Sequence, residues 1–128
     1  LLLNVLIENI VNSKQIVEAA VQGIQEKKGK QISVLNLENV NNAICDYFVI
    51  CHGSSNTNVA ALADSVEESV QKNLGEKPVH KEGKQQAEWV LIDYFNVVVH
   101  VFQEEARSFY NLEELWADAE IEVIEELD

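Results

Sequence analysis

Ala87-Glu88-Trp89-Val90-Leu91-Ile92-Asp93-Tyr94, followed across Phe95-Asn96 by Val97-Val98-Val99-His100-Val101-Phe102-Gln103-Glu104-Glu105-Ala106-Arg107, is the stretch that decides the fold. Its two β-branched runs of about equal length meet at a short polar corner. They predict paired strands at about 88–94 and 97–102, joined by Tyr94-Phe95-Asn96. A charged segment follows at once and reads as two short helices, 104–110 and 112–117, the second capped by Asn111 with Glu114 in the reciprocal position.

Working outward, Asp46 to Cys51 is apolar on both faces, which marks a central strand covered on both sides. Ile32 to Leu37 is a further strand, and Val79 to Lys81 a short one. In residues 14–27, Ile16, Val17, Ala20, Val21 and Ile24 recur at helical spacing, with Ser13 as N-cap and Gly29 as stop. A longer helix follows Gly53-Ser54-Ser55-Asn56. Its core stripe is Val59, Leu62, Ala63, Val66 and Val70, and Gly75 and Pro78 end it. The order predicts an α/β (α+β) domain built on a single mixed β-sheet packed with helices. Residues 1–13 form an N-terminal extension, a continuation of the first helix or a separate short one. Residues 14–117 form the domain, and 118–128 an acidic tail expected to dock weakly, so that a chain ending at Ala117 still folds.

The net charge is −13, and Asp118, Glu120, Glu122, Glu125, Glu126 and Asp128 bring six of those charges without a basic residue among them. Such a surface repels phosphate backbones, so little direct nucleic-acid contact is expected and a basic protein is the natural partner. No apolar run approaches the roughly 18 residues of a membrane span. The opening Leu1-Leu2-Leu3 lacks a basic leader and soon meets Glu8, which leaves a cytoplasmic protein as the expectation. Cys45 and Cys51 on one extended segment would stand about 20 Å apart, too far for a disulfide.

The chemistry-bearing residues are sparse. Gly53-Ser54 opening a helix after a strand resembles the nucleotidyltransferase superfamily, which makes a nucleotide-binding or nucleotidyltransferase-like enzyme the alternative reading. That chemistry needs paired carboxylates for magnesium, and Asp64-Ser65-Val66, at the superfamily's spacing, lacks the second acid. Cys51 and His52 point to opposite faces of a strand, and a Cys51–His100 pairing has no signature behind it. His52, His80 and His100 lack zinc-ligand spacing. No catalytic residue, metal or cofactor is expected. Trp89, Leu91 and Asp93 share one strand face, and an aromatic beside an acid suits a protein-binding patch better than a sealed core. Packing of Trp89 beneath a helix is the competing view. Glu104, Arg107 and Tyr110 share a helical face, where a Glu104–Arg107 pair or a partner contact are equally good accounts. Trp116 reads as core.

Taken in order, Asp46-Tyr47-Phe48-Val49-Ile50-Cys51, Gly53-Ser54-Ser55, Ala61-Leu62-Ala63-Asp64-Ser65-Val66, Ala87-Glu88-Trp89-Val90, Val99-His100-Val101-Phe102, Gln103 to Arg107, Phe109-Tyr110 and Leu115-Trp116 closely resemble the Iojap-like ribosomal silencing factors. The resemblance covers Lys14 to Ala117. It implies a nucleotidyltransferase-like topology without the catalytic carboxylates, and a translation repressor. Such a repressor binds the large ribosomal subunit through its protein fourteen and sterically blocks joining of the small subunit. Carried over residue by residue, it makes Trp89 the anchor, with Glu88 and Asp93 as acidic surroundings. His100, Glu104, Arg107 and Tyr110 stand at further motif positions. Members commonly carry Gly-Asp at the corner where this chain has Phe95-Asn96, which bears on the shape of the docking surface. A homodimer of the free protein is compatible with the sequence.

Overall fold

A computed structural model describes residues 11–126; the expected helical character of residues 1–10 lies outside them. The elements run α1 (Ser13–Glu26), β1 (Lys30–Asn36), β2 (Tyr47–Gly53), α2 (Asn56–Leu74), β3 (His80–Glu82), β4 (Trp89–Asp93), β5 (Val97–Gln103), α3 (Glu104–Tyr110), α4 (Leu112–Leu115) and β6 (Glu120–Val123). They build one mixed sheet of six strands in the order β3-β4-β5-β2-β1-β6. Strands β2 and β5 are parallel and every other neighbouring pair is antiparallel. β2 is buried along its whole length, the central position its unbroken apolarity called for.

One face of the sheet is covered by α1 and α2, whose buried stripes meet Val34, Val49, Cys51, Val90, Ile92, Val99 and Val101. The two helices approach closely because small residues line the seam. A Cβ on Gly23 would stand 2.6 Å from the Ser65 carbonyl oxygen. Ser65 and Ser69 donate hydroxyl hydrogen bonds to Gly23 O and Ala19 O at 2.7 and 2.6 Å. The cap of α1 is Asn12 rather than Ser13: Asn12 and Gln15 exchange side-chain-to-backbone bonds at 2.9 and 3.0 Å. Ser13 is drawn away by the Asp46 carboxylate, to which its hydroxyl donates at 2.7 Å.

The opposite face carries Leu35, Phe48, Ile50, Val98 and Phe102. It is covered only in part, by α3, α4 and the segment that follows β1. Its β4 end is left open, and that is where Trp89 and Leu91 lie. Two further expectations change here. Asn111 occupies the cap position of α4 in a left-handed conformation (φ 46°) without capping the backbone through its side chain; the amide instead donates to Glu114 Oε2 at 2.6 Å. The tail does more than dock weakly. Glu120–Val123 pairs with β1 as β6, from Ser33↔Val123 to Asn36↔Glu120, while Ala119 is buried and Ile124 packs against the helix-side core. The alternation of acids with Ile121 and Val123 is the period of a strand, with acids on one face and apolar residues on the other; among the described residues β1 is its one neighbour.

Candidate protein-docking face

Strand β4 alternates as a half-covered strand should. Val90 and Ile92 are buried against the helices, while Trp89, Leu91 and Asp93 are half-buried on the open face. Trp89 is held in a single orientation. Its indole N–H donates to His100 Nδ1 at 3.0 Å, and its ring packs against Phe102 and Tyr110 with centroids 4.9 and 4.7 Å apart. Since Nδ1 accepts, neutral His100 carries its hydrogen on Nε2. Burial pushes the imidazole pKa down to about 3, so the ring stays uncharged and the bond to Trp89 persists. Nε2 has no hydrogen-bond partner among the described residues; the ring sits edge-on to Phe48 at 4.6 Å and 77°.

The rim is aromatic and acidic. Tyr110 is exposed along one side of Trp89, and Phe109, 81% exposed, meets Tyr110 edge to face at 5.1 Å. Glu88 is exposed where β4 begins. Asp93 spends one oxygen on the corner, accepting the Phe95 N–H at 2.7 Å. Phe95 itself takes the left-handed conformation (φ 75°) and projects 75% exposed, so the positive φ falls on the phenylalanine and not on Asn96.

The structure thus brings together Trp89, Leu91, Asp93 and Tyr110, with Glu88 beside them. His100 lies beneath them, 3% exposed, and bonds to Trp89 from below. Glu104 and Arg107 belong to a different cluster, and the intrahelical pair between them is not formed. Arg107 is 8% exposed and pins α3 to the sheet. Its Nε donates to Glu113 at 3.3 Å, Nη1 to Lys30 O at 3.3 Å and to His52 Nδ1 at 3.1 Å, and Nη2 to Ser33 Oγ at 3.3 Å. A guanidinium only donates, so His52 accepts at Nδ1 and presents its Nε2 hydrogen to the exposed Glu104 carboxylate, 3.2 Å away. Burial first, and the Arg107 charge second, lower the His52 pKa against the opposing pull of Glu104. Nothing local in the sequence joined His52 and Ser33 to Arg107; the three meet because β1, β2 and α3 converge. Trp116 is half-buried, edge-on to Phe48 at 5.9 Å.

The Gly53-Ser54-Ser55 turn is closed upon itself. Ser55 accepts the Asn58 N–H at 3.1 Å as the cap of α2, and Asn58 Oδ1 accepts the Ser54 N–H at 3.0 Å. A side chain at Gly53 would strike that Asn58 oxygen at 2.7 Å. Asp64 lies on α2 and pairs with Lys84. Cys51 is buried, with its thiol pKa pushed up to about 12. It faces the helices, whereas His100 faces the other side of the sheet. Among the described residues no cluster of three metal-binding side chains occurs, and no helix is long and apolar enough to cross a membrane.

A family model described as "Ribosomal silencing factor during starvation" matches residues 11–128. The chain belongs to the ribosomal silencing factor family. Its relatives include the ribosomal silencing factor RsfS of Halalkalibacterium halodurans, 40% identical over 109 residues that cover 85% of this chain and 92% of the relative. RsfS of Bacillus subtilis is also 40% identical over 109 residues, covering 85% and 91%. A crystal structure of a protein from Chromobacterium violaceum superposes with a TM-score of 0.78 at 33% identity, covering 84% of this chain and 88% of that one. The family-model match extends through the tail that forms β6, beyond the Ala117 limit drawn from sequence.

Proposed function

We propose that the protein is a non-catalytic repressor of translation that docks on the large ribosomal subunit and sterically blocks joining of the small one. The Trp89 face is its contact, and the large-subunit protein fourteen, to which the family resemblance points, is its partner. The observation that carries this reading is the half-buried Trp89. It is fixed by His100 and Tyr110 on the uncovered end of the sheet and has acids at its rim. A rigid aromatic anchor in an acidic surround fits a basic protein surface and needs no cofactor or reaction. The net charge of −13 argues in the same direction, against ribosomal RNA as the main contact. Glu88, Leu91, Asp93 and Tyr110 complete the contact, while His100 and Arg107 serve it from beneath, by holding Trp89 and α3 in place.

The test is sedimentation of the pure protein with isolated large subunits, followed by addition of small subunits. Co-sedimentation and loss of subunit joining are expected. Association should slow as the Debye length falls from about 30 Å at 0.01 M salt to about 10 Å at 0.1 M. Free passage of small subunits onto protein-loaded large subunits would sink the proposal.

A further inference from the structure

Strand β6 forms the edge of the sheet away from Trp89. Ile124 N–H donates to Ile32 O at 2.9 Å, and the register pairs Val34 with Glu122 and Asn36 with Glu120. In an antiparallel ladder alternate residues turn their backbone groups toward the neighbour. Glu120 and Glu122 therefore bond to β1, and the N–H and C=O groups of Ile121 and Val123 point away from it. Among the described residues no segment pairs with these two donors and two acceptors. The side chains divide in the same way. Glu120 and Glu122 are exposed on the helix side of the sheet. Ile121 and Val123, 44% and 71% exposed, lie on the other. The chain beyond the strand is tied back, since Glu126 accepts the Gln31 N–H at 3.3 Å and lies 3.9 Å from the Lys30 ammonium, so β6 is presented as a held edge.

We propose that the outer edge of β6 takes up an extended basic segment of a partner protein, with Lys or Arg alternating with apolar residues, as a seventh strand. Directly opposed side chains on paired strands stand about 4.5–5.5 Å apart, and opposite charges and apolar pairs favour the match. A second copy of this chain would set Glu against Glu, and no basic residue occurs in 118–128 to relieve it. Acids on an edge exclude acidic or self-complementary strands; they leave a basic one admitted. The contact is independent of the Trp89 face: β6 lies four strand steps from β4, about 19 Å at the usual spacing.

The experiment uses a synthetic peptide of alternating lysine and valine, a peptide of the same composition in two blocks, and amide exchange followed by NMR. The alternating peptide should bind the full chain and slow exchange at Ile121 and Val123, and the block peptide should bind at least tenfold more weakly. Val123→Pro removes an outward N–H at a position where an edge strand tolerates proline. It should weaken the alternating peptide at least tenfold while the Glu122 and Ile124 amides stay slow. Glu120→Lys with Glu122→Lys should transfer the preference to an alternating glutamate–valine peptide, which tests the idea even if the proline variant loses β6. Trp89→Ala should leave peptide binding unchanged, separating this surface from the docking face. Equal binding of both peptides, or failure of the lysine variant to switch, would reduce the edge to charge attraction and overturn the proposal. So would slow exchange of Ile121 and Val123 in the free protein, which would mean that residues 1–10 or a second copy already cover the edge.

Discussion

Trp89→Ala tests the docking face and the packing beneath it together. Complete burial makes Trp→Ala cost about 3–5 kcal/mol; Trp89 is half-buried, so its lost contacts with Phe102 and Tyr110 are worth roughly half of that, about 2 kcal/mol. The substitution also removes the donor to His100 Nδ1. A buried acceptor left bare costs about 1–3 kcal/mol, but the space vacated opens to solvent and admits water, which holds this share near 1 kcal/mol. The expected loss is then about 3 kcal/mol, or a fall of roughly 9–15 °C in melting temperature for a domain of this size. That leaves a folded protein at 25 °C if its stability lies in the usual range of about 5–15 kcal/mol. An anchor residue should in addition cost about 2–4 kcal/mol of binding, a 30- to 800-fold weaker association with large subunits. The assay is a melt and a sedimentation titration on the same variant, the second run well below the melting temperature. A folded variant that binds like the parent would remove Trp89 from the contact. One that melts like the parent would show that the His100 and Tyr110 contacts do not hold it.

Arg107→Met strips the partner from Glu113, Ser33, His52 and the Lys30 carbonyl at once. It should cost about 3–5 kcal/mol in a urea titration; a loss below about 1 kcal/mol would contradict a pinning role. Phe95→Gly relieves a left-handed phenylalanine at the corner; it should raise stability by about 0.5–1 kcal/mol, and a destabilised variant would show that the exposed ring makes contacts that matter. Both His52 and His100 have folded pKa values below the unfolded value of about 6.5, so the unfolded chain binds more protons in acid. Stability should be full above pH 6.5 and fall as pH drops toward 3. His100→Gln should flatten that slope, and an unchanged slope would refute the burial argument. A chain ending at Ala117 loses the β6 ladder, buried Ala119 and the packing of Ile124. It should fold with stability lower by about 2 kcal/mol, and a melt matching the parent's would show β6 to be dispensable.

The residue pattern alone determined where most strands and helices lie, that the runs at 88–94 and 97–102 pair, and which face of each is apolar. The continuous apolarity of β2 required a central strand, the alternation along β4 placed Trp89, Leu91 and Asp93 together, and the stripe of α2 named its buried side. These are local periodicities, and burial obeys them because each strand or helix has to hide one side. Three things depended on tertiary structure. Residues 120–123 carried a strand period, but the pattern was too short and too acidic to show what it would pair with until β1 presented an open edge. Arg107 and Glu104 share a helical face, yet the arginine turned inward because Ser33, His52 and the Lys30 carbonyl, from two other strands, converge on its five donors. His100 stood in a separate motif piece on the next strand, without any sign that it lies under the Trp89 indole and fixes it. Each of these turns on contacts between residues far apart in sequence, where the strongest donors and acceptors find partners that no local pattern encodes.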